Sequence, residues 1–400
     1  MLTGGGFEMN EKDYEVELQK QNTTLSFKKQ QDFTDFQKVL TKNTIWQDVD
    51  SSMCIEKAFP GKAALYDCAS TKDQWDANNI AGGLTVDFTG LYKGIHGSAI
   101  VNHFTSPLSL LERGGIKCKL ASEYESNDLD SYAKLINQGI SYFGKNLRIL
   151  IRGGQLMATH TTKYNSLPQE TIFDAAKDYM QGHFPSGKFI DAVYTPDVTE
   201  ATYSICNGND AFLKEYADDW VDAGLPKGLL DKTYPVLIFS TSDTGRYPLA
   251  IKPRLYIGKA QYPLGTDVEV KHTGRALLNE MNSYADQAYS KINQGISSVR
   301  DMLTHEINHP YAAFVKVSSK VGLTKKIKTC MQEALANFKD EFDPCTRVTA
   351  FNIFKAICDV QLYGSFQITS PLTQMACKEC IYRIYSINWD EVDKAGIEEI

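Results

Sequence analysis

Leu147-Arg148-Ile149-Leu150-Ile151-Arg152-Gly153-Gly154-Gln155-Leu156-Met157-Ala158-Thr159 is the stretch whose reading decides the fold class. Leu147 to Ile151 is a short apolar run and reads as a strand. Arg152-Gly153-Gly154-Gln155 follows as a hairpin-like turn, and Leu156 to Thr159 is the returning strand.

Helical spacing lies on both sides of this hairpin. Upstream, Leu129, Tyr132, Leu135, Ile136 and Ile140 mark one helix face over Leu129 to Phe143. Ser106-Pro107 opens an earlier helical run through Leu110 and Leu111, and Gly114-Gly115 stops it. Ala63 to Tyr66 and Leu84 to Phe88 read as strands. Downstream, a helix follows Pro168 through Ile172, Phe173, Ala176 and Tyr179. Strand candidates then crowd the middle: Val193-Tyr194, Thr202 to Ile205, Val236 to Phe239, Leu249 to Ile251, Leu255 to Ile257 and Val268 to Val270. Pro248, Pro253 and Pro263 confine several of them to short or edge positions. From Arg275 the spacing is helical through Asn308, then over Thr324 to Phe338, Arg347 to Leu362 and Thr373 to Ile387.

The fold class predicted is α+β: a mixed, largely antiparallel, strand-rich core with a helical C-terminal section. The regular strand–helix alternation of a doubly wound sheet is missing. Residues 1–44, polar and charged behind Gly4-Gly5-Gly6, read as a flexible or peripheral arm. Residues 45–300 read as the core and 301–400 as the helical section. The hexapeptide Ile136-Asn137-Gln138-Gly139-Ile140-Ser141 recurs verbatim at Ile292 to Ser297. Its flanks do not continue the match, which reads as coincidence on two amphipathic helices.

The 400 residues are 42% hydrophobic and 23% charged, ordinary for a chain with a substantial core. A net charge of -7 argues against a surface that grips phosphate backbones throughout, while leaving room for a local basic groove. No run approaches the roughly 18 apolar residues of a membrane span, and Met1 to Asn10, without a cationic stretch followed by an apolar run, does not read as a secretory leader. Nine cysteines spread through the chain read as reduced thiols, which fits a cytoplasm.

Several residues suggest chemistry. His305-Glu306-Ile307-Asn308-His309 on a helix would place two imidazoles on one face for Zn²⁺, with Glu306 activating water and Glu333 as a third ligand. Pro310 disfavours a helix through His309, so a helix terminus is the competing reading. Cys377-Lys378-Glu379-Cys380, with Cys330, Cys345 and Cys358 upstream, lacks the second tight pair of a zinc site and fits an apolar helix face. Asp243 with Glu269-Val270-Lys271 would suit a magnesium nuclease. Lys316, Lys320, Lys325, Lys326 and Lys328 form a basic run; 21 tyrosines and 19 phenylalanines supply rings that could sit beside such residues. Phosphate-loop, dinucleotide and nucleophile-elbow motifs are absent.

Leu150-Ile151-Arg152, Met157-Ala158-Thr159 and Tyr164-Asn165-Ser166-Leu167 before a helix resemble a segment of the phage/plasmid-like protein family defined by domain of unknown function 932. His103-Phe104 with Leu108 to Gly115, Ser242-Asp243-Thr244-Gly245, and Val270-Lys271-His272-Thr273-Gly274 resemble further elements of that family, in the same order over roughly residues 60–300. The resemblance implies a host bacterial cytoplasm and a role in recombination, replication or evasion of host defence. It implies no mechanism.

The expectation that follows is a non-enzymatic mobile-element accessory protein that binds nucleic acid, preferentially single-stranded DNA. Its binding residues would be Arg152, Lys163, Lys271, His272, Lys325 and Lys326. A protein-binding inhibitor of a host defence enzyme and a zinc-dependent hydrolase at 305–309 are the alternatives. No resident cofactor is expected under the first two readings. A host protein or a second copy of the chain remains open as partner, and a membrane does not.

Overall fold

Aromatic residues at helical spacing draw the N-terminal segment into the core. Helix α1 (Glu11–Leu18) starts with a capping box, the Asn10 side chain accepting from Asp13 N while Asp13 accepts from Asn10 N. It leads through strand β1 (Leu25–Phe27) to helix α2 (Gln30–Lys42). Phe33, Phe36 and Leu40 of α2 are almost wholly enclosed, and Tyr14, Leu18 and Phe27 join them in one hydrophobic cluster rich in rings. The described part of 1–44 is thus packed structure, which corrects the expected arm. Its polar residues occupy the outer faces of helices whose inner faces carry rings.

The computed structural model describes residues 9–19, 23–49, 54–58, 83–87, 98–101, 105–143, 146–153, 155–206, 221, 233–257, 260–270, 280–321, 348–365 and 382–394. The strand expected at Ala63 to Tyr66 lies outside them.

Next come β2 (Thr44–Val49), β3 (Cys54–Ala58), β4 (Gly83–Asp87) and β5 (Ser98–Val101), then helices α3 (Thr105–Arg113), α4 (Lys119–Asn127) and α5 (Leu129–Phe143). The hairpin expected over Leu147 to Thr159 is β6 (Leu147–Arg152) and β7 (Gln155–Thr161). These strands form a sheet in the order β2-β6-β7-β5-β4-β3, here called the hairpin sheet. Its pairing is antiparallel except between β5 and β7. Leu147, Ile149, Ile151 and Leu156 on one face pack against Leu110, Tyr132, Ile136 and Ile140 of α3 and α5.

Helix α6 (Gln169–His183) connects to β8 (Phe189–Tyr194), β9 (Thr199–Ser204), β10 (Thr233–Thr241), β11 (Leu249–Ile257), β12 (Ala260–Pro263) and β13 (Val268–Val270). With β1 they make a second, antiparallel sheet, the meander sheet, in the order β1-β8-β9-β10-β11-β12, β13 also pairing with β11. The two short strands expected around Pro253 are one interior strand. Pro253 is tolerated because β13 pairs with residues 249–251 and β12 with 254–257, so the proline falls in the gap between two ladders.

Helices α7 (Met281–Thr304), α8 (Pro310–Val321) and α9 (Ala350–Ser365), a 3-10 turn (Arg383–Ser386) and α10 (Trp389–Val392) complete the described elements. Phe314, Phe351, Phe354 and Ile357 share one core with Tyr262 and Val268 of the meander sheet and with Leu264 just past β12. The expected boundary after residue 300 therefore falls inside α7, and the described C-terminal helices pack on the core. No described helix is long and apolar enough to cross a membrane.

The repeated hexapeptide serves one packing purpose twice. Gly139 on α5 faces the Gly114 backbone, where a Cβ would stand 2.6 Å from its carbonyl oxygen. Gly295 on α7 faces the Leu264 backbone, where a Cβ would stand 1.9 Å from the carbonyl oxygen. In each copy the flanking isoleucines, Ile136 with Ile140 and Ile292 with Ile296, are buried beside the glycine notch.

Candidate functional site at the junction of the two sheets

Arg152 ends β6, and its side chain crosses from the hairpin sheet to the meander sheet with 0% exposure. It pairs with Asp243, which lies just past the end of β10. Its Nε donates to Thr44 Oγ1 at 3.1 Å, and Nη1 donates to Tyr194 OH at 3.4 Å. Gln169, the first residue of α6, donates to Asp243 Oδ2 at 2.7 Å and accepts from Thr199 Oγ1 at 2.7 Å. One carboxylate thus ties β6, α6 and β9 together.

Burying an ion pair is favourable only when its remaining donors and acceptors are met. Here each nitrogen of the guanidinium has a partner. Burial alone would lower the Arg152 pKa, but Tyr194 and Asp243 outweigh it and hold the guanidinium charged. Burial pushes the phenols of Tyr164 and Tyr194 up, so both remain hydroxyl donors.

Above this pair sits a cluster of rings. His160 Nε2 donates to the Asp243 carbonyl at 3.0 Å, and Tyr164 OH donates to the Ser242 carbonyl at 3.1 Å. The His160 and Tyr164 rings stack at 4.0 Å, and Trp46 of β2 stacks on Tyr164 at 5.4 Å. Gly245 has φ +71, and a Cβ there would meet His160 Cε1 at 2.7 Å, so both backbone and space demand glycine. Thr244 donates to Asp197 at 3.1 Å and fixes the same loop. Arg148 Nη1 donates to the Tyr164 carbonyl at 2.8 Å, and its other nitrogens grip Asp48. Trp46, His160 and Tyr164 are half-buried, while Lys163, beside Tyr164, is exposed.

The structure separates the residues expected to bind nucleic acid. Arg152 is a buried strut, which corrects its assignment to a binding surface: a cation at a hairpin turn ordinarily faces water, but this one has Asp243 opposite it. Lys163 is at the surface beside the ring cluster. Lys271, His272, Lys325, Lys326 and Lys328 lie outside the described residues. Two other lysines of the basic run are used internally, Lys316 donating to the Lys394 carbonyl at 2.6 Å and Lys320 pairing with Glu391 at 3.1 Å.

Among the described residues neither the nuclease nor the zinc geometry is assembled. Asp243 is held by Arg152 and Gln169, Glu269 is exposed on β13, and Lys271 is outside the described residues. Helix α7 ends at Thr304; His305 is extended at φ -78 and ψ 107, Glu306 bridges to Thr349, and Pro310 opens α8. His305 and His309 therefore do not share a helix face, which removes the arrangement the hydrolase reading required. Asp393 instead accepts from the backbone of Asn308 at 2.9 Å and of His309 at 2.6 Å. Glu333, Cys330, Cys345, Cys377 and Cys380 lie outside the described residues, whereas Cys358 is buried in the core as a small apolar side chain. Among the described residues no three His, Cys, Asp or Glu side chains gather as metal ligands.

Sequence reasoning missed a second surface. Tyr142 and Phe143 at the end of α5 are 76% and 68% exposed. Tyr142 falls off the buried stripe of α5, which is the signal that could have found it. The Phe143 ring lies 3.2 Å from where a Cβ of Gly115 would be, two residues before the exposed Lys117-Cys118-Lys119-Leu120.

Comparison with protein-family models, with curated proteins and with solved structures found no match.

Proposed function

We propose that the chain is a non-enzymatic accessory protein of a phage or plasmid that binds single-stranded nucleic acid. The observation that supports it is the half-buried cluster of Trp46, His160 and Tyr164, braced from beneath by Arg152 and Asp243, with Lys163 at its edge. A half-buried ring held in place by its neighbours offers an unstacked base a surface worth about 1–3 kcal/mol. A duplex keeps its bases inside and gains only the phosphate contacts. Of the segments behind the family resemblance, one contributes Tyr164 to this cluster, and Arg152 and Ser242 to Gly245 support it from the hairpin and from the loop after β10. The net charge of -7 restricts binding to such a local site.

Fluorescence anisotropy of labelled single and double strands across a salt series tests the proposal. Single strands should bind more tightly, with an affinity that falls steeply with salt, and Lys163→Ala should reduce the salt slope by about 0.7. Equal or absent binding of the two forms at low salt would refute it. The second reading, a protein that inhibits a host defence enzyme, is favoured by the same acidic charge. A host protein recovered stoichiometrically after nuclease treatment would support that reading.

A further inference from the structure

We infer that the bound strand continues past the ring cluster, around the end of the hairpin sheet, onto Tyr142 and Phe143, with Lys117 and Lys119 holding its phosphates. The inference rests on the single-strand reading above and names where that strand runs.

Chain geometry makes the two surfaces neighbours. The Asn146 carbonyl accepts from Thr162 N at 2.9 Å, so the chain leaving α5 abuts the turn that carries Lys163. Asn146 is three positions on from Phe143, a reach of at most about 11 Å. On the other side Phe143 covers Gly115, which leads directly into the exposed Lys117 and Lys119. The order along the surface is therefore Trp46 with Tyr164, Lys163, Phe143 with Tyr142, then Lys117 and Lys119.

The chemistry of this path alternates rings and cations. Stacking tolerates any base, and ammonium groups between rings meet the phosphates that separate the bases. Exposing two large rings side by side at a helix end is costly in water unless something covers them. Asp48 and Glu112, carboxylates along the path, are engaged by Arg148 and Arg113. A docked protein would be served by the rings and by Leu120, 50% exposed, but not by the lysines on either side of them.

Labelled oligothymidylate is titrated by anisotropy into the intact chain and into Tyr142→Ala/Phe143→Ala, with thermal melting confirming that both are folded. The double variant should bind at least about tenfold more weakly. Lys117→Ala/Lys119→Ala, a change of exposed residues only, should lower the salt slope by about 1.4. Wild-type affinity and slope in both variants would overturn the path while leaving the ring-cluster site in place. Failure of the wild-type chain to bind at low salt would overturn the path and the single-strand reading together.

Discussion

Asp243 accepts from Arg152 and Gln169 on the same oxygen, at a position with almost no solvent. Removing either charge strands the other in a low-dielectric site. Asp243→Ala should therefore cost about 3–5 kcal/mol in urea unfolding, as should Arg152→Ala. Replacing both together with apolar residues of similar size, Arg152→Met with Asp243→Leu, should recover most of that loss, because no unpaired charge remains. A double variant as unstable as the sum of the singles would refute the pairing. Asp393 behaves differently. Burial would raise its carboxyl pKa, but hydrogen bonds from the backbone of Asn308 and His309 hold it below the ordinary value. A depressed carboxyl stabilises fully above its unfolded pKa of about 3.9 and loses that contribution as pH falls through the folded value. Protection of the Asn308 and His309 amides, relative to their intrinsic exchange rates, should thus fall below about pH 4 in the wild type, and already be low at neutral pH in Asp393→Ala. Arg152 stood out in the sequence as a cation at a turn, but its burial was not legible there. The residue that buries it is 91 positions away, and no local pattern carries that information.

Local signals read elements well where one face alone decides the structure. Leu129 to Phe143 and the helix after Pro168 formed as their spacing predicted. The hairpin formed because Gly153, at φ +55, takes a conformation closed to most residues. Pro253 misled the reading because a proline can sit inside a sheet when two short neighbours share one side of its strand. In the N-terminal segment the polar composition masks a helical periodicity of buried rings, Phe33 and Phe36 with Leu40. Phe36→Ala should accordingly cost about 3–5 kcal/mol, where an arm would lose nothing. Glycine position decides two further cases. Gly295→Ala would drive a methyl into the Leu264 carbonyl and should destabilise strongly, by about 3 kcal/mol or more, whereas Gly182→Ala meets nothing and should stabilise α6 by about 0.5–1 kcal/mol. Thermal melts of the two variants moving in the same direction would contradict this packing.

At the scale of the molecule, two sheets meet along a line where Arg152, Tyr194, Asp243 and Gln169 interlock, and the ring cluster lies on that joint. The α+β class with antiparallel sheets was legible from the order of the elements. Which sheet each strand joined was not, because β1 and β2, close in sequence, go to different sheets. Of the candidate site only Arg152, Tyr164 and Ser242 to Gly245 were legible, through the family resemblance; Trp46 and His160 carry no local signal, and the convergence of all of them needed the fold. The most direct test is tryptophan fluorescence of the wild-type chain and of Trp46→Phe titrated with oligothymidylate at low salt. Quenching in the wild type that is largely lost in Trp46→Phe, with binding weakened, is the predicted result. No quenching in the wild type, or the same quenching in both, would show that no base reaches Trp46 and would contradict the placement of the strand on this joint.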